Sequence, residues 1–257
     1  SVQTGQATLL QLRNAIASFK ESGKFVYAYA DSYSQSAYFL ASVADSVFLN
    51  PNGDVGLQGY GMVTPFFKGS LEKLGVDFDI FYAGDFKSAT EPLRRTEMSP
   101  ENRLQSKVFL NDMVGLMKTE VSKSRKIPLF ELDRIMSELD GRDAKRALQN
   151  KLVDETIYWD EFEARLRKKV KLDDEEKINY LSLDDYNLLS EMTEEGKYTQ
   201  KVAVVYAEGD VVYNMSGKGM IDNNKYLKIF DKIRKDKNIK AVVLRVNSGG
   251  GSALTSD

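Results

Sequence analysis

The chain has 257 residues, 36 basic and 38 acidic, for a formal net charge of −2, and it contains neither cysteine nor histidine. The first absence excludes disulfides, thiolate nucleophiles and cysteine metal sites; the second excludes Ser-His-Asp and Cys-His mechanisms and leaves Lys, Asp, Glu and Tyr as the acid–base side chains. No segment is basic enough to track a nucleic-acid backbone, so no nucleic-acid partner is expected, and no apolar run approaches the roughly 20 residues of a membrane span.

From Thr8 to Lys20, Leu9, Leu12, Ile16 and Phe19 recur at helical spacing, with Gly23 as a stop signal, so an amphipathic helix with these four residues on its apolar face is expected. KFVYAYA (24–30) reads as a buried strand, SQSAYFLASVA (34–44) as a short helix and SVFLN (46–50) as a strand before the Pro51-Asn52-Gly53 turn. PFFKGSLEKLG (65–75) reads as a helix and VDFDIFY (76–82) as a strand, giving the alternation of a layered α/β domain. Three helical patterns follow, Pro100–Ser124, Phe130–Leu139 and Asp143–Leu152, and are expected to form an outer layer. Residues 160–198 are dense in charge, with one strand-like island, INYLSL (178–183), and read as a connector. From Lys201 the pattern restarts as strand KVAVVYAEG (201–209), a loop with Gly217 and Gly219, a helix through NNKYLKIFDKIRKD (223–236) and the strand IKAVVLRV (239–246). The expected division is therefore 1–159, a connector at 160–198, and 199–257 as a second unit.

That last strand runs into Gly249-Gly250-Gly251 and Ser252, a tight turn delivering the chain to a helix start. Glycines let main-chain N–H groups approach a reacting carbonyl, so Gly250 and Gly251 are candidate oxyanion donors beside a serine nucleophile. Ser252 reads equally as a simple N-cap. A phosphate cradle fits poorly, because no lysine follows the glycines as in a P-loop and their spacing is not G-x-G-x-x-G. Were Ser252 a nucleophile, the base in a chain without histidine would be a lysine held neutral, and local sequence does not single one out.

One segment does. YAGDFKSATEPLRRTEMSPENR, residues 82–103, closely resembles the part of the signal peptide peptidase A (protease IV) family that carries the general-base lysine in a Lys-Ser-Ala-x-Glu-Pro setting ahead of a Met-Ser-Pro helix start. RVNSGGGS, residues 245–252, resembles that family's nucleophile motif, with Gly249 in place of the usual proline, a change that loosens the turn. The stretch 32–51 is similar to the first repeat of the long form of the family.

The resemblance implies Lys87 as general base and Ser252 as nucleophile, with no cofactor and no metal. It implies an α/β chain of two crotonase-like (ClpP-like) repeats, both incomplete here: the later part of the first repeat in 1–159, with Gln6 where Ser252 stands in the second, and the first part of the second in 199–257. On this reading the isolated 257-residue chain is a fragment expected to have little activity. The implied function is a Ser/Lys endopeptidase that degrades remnant signal peptides and other apolar, unfolded segments. It would work as a homo-oligomer at the bacterial cell membrane, held by a segment absent from this chain, with its catalytic part on the extracytoplasmic side. The competing expectation is a non-catalytic scaffold or interaction module in which Lys87 pairs with Asp85 or Glu91 and Ser252 only caps a helix. Acyl-CoA chemistry on the same fold has no sequence feature in its favour.

Overall fold

A computed structural model describes residues 4–173, 176–187, 200–215 and 217–256. By its contacts the chain divides into two units, 1–178 and 179–257.

The first unit begins with α1 (Gln6–Glu21), β1 (Tyr27–Ala30), α2 (Gln35–Ala41) and β2 (Ser46–Leu49). β1 and β2 pair in parallel, which requires the crossover that α2 supplies, and Ser34 caps α2 by accepting the Ala37 N–H. After α3 (Lys68–Lys73) and α4 (Glu91–Arg94) come the long α5 (Pro100–Arg125), then α6 (Leu129–Ser137), α7 (Ala144–Gln149), β3 (Glu155–Thr156) and α8 (Trp159–Val170). β3 adds to β2 in parallel, so the sheet order is β1-β2-β3.

The main core lies between this sheet and the helices, built from Val47 and Leu49 of β2, Tyr38 and Phe39 of α2, Met117 and Val121 of α5, and Leu132 and Ile135 of α6. The opposite face of the sheet buries Phe48 against Ile157 and Phe162, with Tyr27 and Tyr29 alongside. α8 therefore belongs to the packed first unit, although its charged sequence reads as connector: Phe162 is buried and Trp159 packs edge-on against Tyr29.

The amphipathic face of α1 also differs from expectation. Leu9 is buried, but the residue buried four positions on is Arg13, whose exposure is 2%. Leu12, Ile16 and Phe19 instead border an open apolar cavity of about 350 Å³, with Val26 and Leu40 opposite. Arg13 is held because its donors meet acceptors from two other helices. Nη1 donates to the Phe39 carbonyl and to Ser42 Oγ (2.8 Å), and Nη2 donates to the Glu120 carbonyl (2.8 Å) and to Ser124 Oγ (2.6 Å). Glu120 lies 3.8 Å from Nε, and the guanidinium carbon sits 4.8 Å from the Phe39 ring centroid. Burial draws the guanidinium pKa down while Glu120 opposes the shift, so the charge is kept by pairing.

No strand forms at 76–82. The apolar residues there alternate as a strand requires, but no neighbouring strand offers backbone groups to pair with, and Phe78, Phe81 and Tyr82 stay exposed. The INYLSL island likewise has no strand, and residues 174–175 and 188–199 of the expected connector lie outside the described residues.

The second unit contains β4 (Lys201–Glu208), β5 (Asp210–Val212), β6 (Met220–Asp222), α9 (Asn223–Lys235), β7 (Ile239–Asn247) and the short α10 (Ala253–Ser256). β4 and β7 run parallel and in register from Val202↔Ala241 to Glu208↔Asn247, with α9 as the crossover. α9 covers one sheet face through Tyr226, Ile229 and Ile233 packed on Val205 and Ala207. The small β5 and β6, a second parallel pair, occupy the loop left unassigned from sequence.

Removing the α1 guanidinium strands buried carbonyls on α2 and α5. We expect Arg13→Ala to cost about 3 kcal/mol of stability or more, read as a lower urea midpoint for the first unit, whereas Leu12→Ala on the open side of the same helix should cost far less.

Candidate active site

Lys87 lies in the irregular stretch that leads into α4. Its own N–H donates to the Gly84 carbonyl (3.3 Å), and the chain turns into α4 through a bond from Glu91 N–H to the Ser88 carbonyl (3.0 Å). The Lys87 side chain is exposed and, among the described residues, makes no ion pair. The pairing with Asp85 or Glu91 that a scaffold role requires is therefore not formed.

Glu91 is engaged elsewhere. Only 1% exposed, it accepts hydrogen bonds on Oε2 from the Ser99 N–H (3.2 Å) and from Asn102 Nδ2 (2.8 Å), while Arg94 Nη2 stands 3.7 Å from Oε1. Arg94 also lies over the Tyr82 ring at 3.8 Å, tying the incoming loop to α4. Burial alone would raise the Glu91 pKa, but the hydrogen bonds from Ser99 and Asn102, with the Arg94 charge, outweigh it and hold the carboxyl below its ordinary value. Ser99 caps α5 by accepting the Asn102 N–H (3.1 Å), and Pro100 occupies the first turn, where a missing N–H costs nothing.

Gln105, one turn further along α5, reaches back to the lysine loop. Its Nε2 donates to Ser88 Oγ (2.7 Å), to the Phe86 carbonyl (3.3 Å) and, more weakly, to Asn102 Oδ1 (3.4 Å). Sequence reasoning missed this residue. The available signal was polar side chains at 102, 105 and 106, which share one helix face where an α5 surface could have been apolar.

In the second unit, Ser252 follows a turn stitched to β5. Val211 N–H donates to the Gly250 carbonyl (3.0 Å), Ser252 N–H donates to the Val211 carbonyl (2.8 Å), and Thr255 Oγ1 donates to the Val212 carbonyl (2.9 Å). Gly251 has φ +150°, and a Cβ there would lie 2.1 Å from the Val211 carbonyl oxygen, so the close main-chain approach requires glycine. Ser252 is part-buried, and its hydroxyl has no hydrogen-bond partner among the described residues. Of the two expected oxyanion donors, Gly251 N–H is also unpartnered among those residues, whereas Gly250 N–H donates to the exposed Ser248 Oγ (3.0 Å), a bond that water can replace. Beside the turn, Tyr226, Leu227, Phe230, Leu244, Val246 and Leu254 line an apolar cavity of about 540 Å³.

Chemically, among the described residues the first unit presents a lysine side chain without an ion pair on a braced loop, and the second presents a serine hydroxyl and a neighbouring main-chain N–H without hydrogen-bond partners. Among the described residues no cluster of His, Cys, Asp and Glu is arranged to hold a metal ion.

Residues 18–173, which include Lys87, match the profile of Peptidase family S49. The chain is 35% identical to "Protease 4" of Haemophilus influenzae over 254 residues, covering 95% of this chain and 41% of that protein. It is 32% identical to "Protease 4" of Salmonella typhi over 262 residues, covering 98% and 41%. It is 24% identical to "Serine protease SPPA, chloroplastic" of Arabidopsis thaliana over 261 residues, covering 98% and 38%. The chain thus spans about two fifths of the length of these relatives.

Two outcomes are expected. A carboxylate whose folded pKa is depressed stabilises the fold fully above its unfolded pKa, and that contribution is lost as pH falls through the folded value. Amide exchange at Ser99 and Asn102 should accordingly speed up below the ordinary glutamate range, and Glu91→Gln should flatten that pH dependence. Separately, Gly251→Ala should displace the Ser252 turn, lowering the thermal midpoint of the second unit and abolishing labelling of Ser252 by acylating reagents in the full-length protein.

Proposed function

This chain belongs to peptidase family S49, and from that premise we propose that Lys87 and Ser252 form the Ser/Lys dyad of a serine endopeptidase. The observation that carries the reading is the state of the two side chains: in a chain without histidine or cysteine, a lysine side chain with no ion pair and a serine hydroxyl with no hydrogen bond among the described residues stand in the two family-like motifs.

In the proposed reaction neutral Lys87 accepts the Ser252 hydroxyl proton as Oγ attacks the scissile carbonyl. The N–H groups of Gly251 and Gly250 stabilise the oxyanion, the latter after its bond to Ser248 gives way. Protonated Lys87 then passes its proton to the leaving amine, and Lys87 activates the water that hydrolyses the acyl-enzyme. No metal or cofactor takes part. The substrates are remnant signal peptides and other apolar, extended segments, a preference supported by the apolar cavity beside the Ser252 turn; the protease names of the relatives support the proteolysis itself. The chain supplies portions of two crotonase-like repeats to a membrane-associated homo-oligomer whose catalytic part lies on the extracytoplasmic side of the bacterial cell membrane.

In the full-length protein, Lys87→Ala and Ser252→Ala should each abolish cleavage of an apolar peptide while leaving assembly intact, and a serine-reactive acylating probe should label Ser252. Normal turnover by either variant, or label on another serine, would refute the dyad. Mixing the two inactive variants adds a further reading: recovered turnover places the lysine and serine on neighbouring chains, and none places them on one.

A further inference from the structure

We infer that Gln105 is a positioning residue for the general base, holding the backbone from which the Lys87 side chain projects; this rests on the dyad reading. Lys87 Nζ has no ion-pair partner among the described residues, so where its amine can reach is set by the three residues Phe86-Lys87-Ser88. Gln105 Nε2 grips that tripeptide on both sides of the lysine, at the Phe86 carbonyl and the Ser88 hydroxyl. A glutamine on a helix surface ordinarily spends its amide on water.

The grip has a fixed polarity. The Glu91 carboxylate can only accept, so it orients the Asn102 amide with Nδ2 toward itself. That leaves Asn102 Oδ1 as an acceptor facing Gln105 and Ser106, which in turn directs the Gln105 NH2, rather than its carbonyl, at the lysine loop. A buried carboxylate thereby fixes two amides in series, and the second holds the base. A general base works only when its reach is controlled: a misplacement of about 1 Å can cost a factor of roughly a hundred.

Gln105→Met keeps the length and flexibility of the side chain and removes its donors. In the full-length protein it should lower kcat on an apolar peptide by roughly ten- to hundredfold with KM little changed. Ser88→Ala, which deletes the shorter contact from the loop side, should act in the same direction and decides the matter if Gln105→Met does not fold. A lower thermal midpoint with kcat unchanged is what a merely structural residue would give, and it overturns the inference. Lys87→Ala separates the two levels. If it is inactive while Gln105→Met and Ser88→Ala behave as wild type, the positioning role alone fails; if it turns over normally, the dyad fails and the positioning role with it.

Discussion

The first unit depends on a positive charge buried where an apolar side chain would be expected. Arg13 of α1 satisfies carbonyls and hydroxyls on α2 and α5 at once, which fixes three helices by directional bonds as well as by packing. An unpaired charge in that position would be expelled or strongly destabilising, so the helices hold their places partly because the guanidinium must be satisfied. α5 is pinned a second time at its last residue, where Arg125 binds both oxygens of Asp154, and Asp154 in turn accepts the Val47 N–H at the edge of β2. Glu120, Ser124 and Arg125 all lie in the last two turns of α5, so these bonds fix one end of the helix. Its first turns, which carry Asn102 and Gln105, are held separately by the bonds to Glu91 and to the lysine loop.

The second unit fixes its candidate residue by a different device. Main-chain bonds to Val211 and the bond from the Thr255 hydroxyl to the Val212 carbonyl hold the turn, and glycine at 251 permits the approach. Gly209 plays the same part at the start of β5, where a Cβ would lie 1.7 Å from the Gly219 carbonyl oxygen. Such a turn leaves the serine hydroxyl and the Gly251 N–H without a partner among the described residues, as the proposed roles of these two atoms require.

The elements that proved legible from sequence are those with a strong local period or a clear stop. β1, α2, β2, α5, β4, α9 and β7 fall where the patterns of apolar residues, caps and glycines put them. The misreadings share a physical cause, dependence on a partner remote in sequence. VDFDIFY alternates correctly but has no strand to pair with. α8 looks like a connector because two aromatic residues at its start, Trp159 and Phe162, make its ring contacts amid many charges, and β3, β5 and β6 are two or three residues long, too short for any period to register. Arg13 falls on the same principle: a pattern reading assigns arginine to water, and only the assembled acceptors of α2 and α5 make its burial affordable. At the candidate site the glycine turn was readable because its requirement is local, whereas the role of Gln105 was not, since its acceptors are a carbonyl and a hydroxyl in a separate loop.

The same distinction explains why a short motif can carry so much. In KSATEPLRRTEMSP only the lysine is proposed to meet the reaction, yet the other marked residues have physical tasks in this structure. Glu91 supplies the buried acceptor, Pro92 sits in the first turn of α4 and offers its carbonyl to the Phe67 N–H, and Ser99 and Pro100 start α5 at the point where Asn102 can reach the carboxylate. Moving the carboxylate along the chain by one residue would face it away from Ser99 and Asn102 and leave the α5 corner without its acceptor. The spacing between Lys87 and Glu91 is therefore a statement about how the loop is closed rather than about chemistry between those two side chains, which the structure keeps apart. The motif, rather than the residue type alone, is therefore what marks Lys87 as the proposed base.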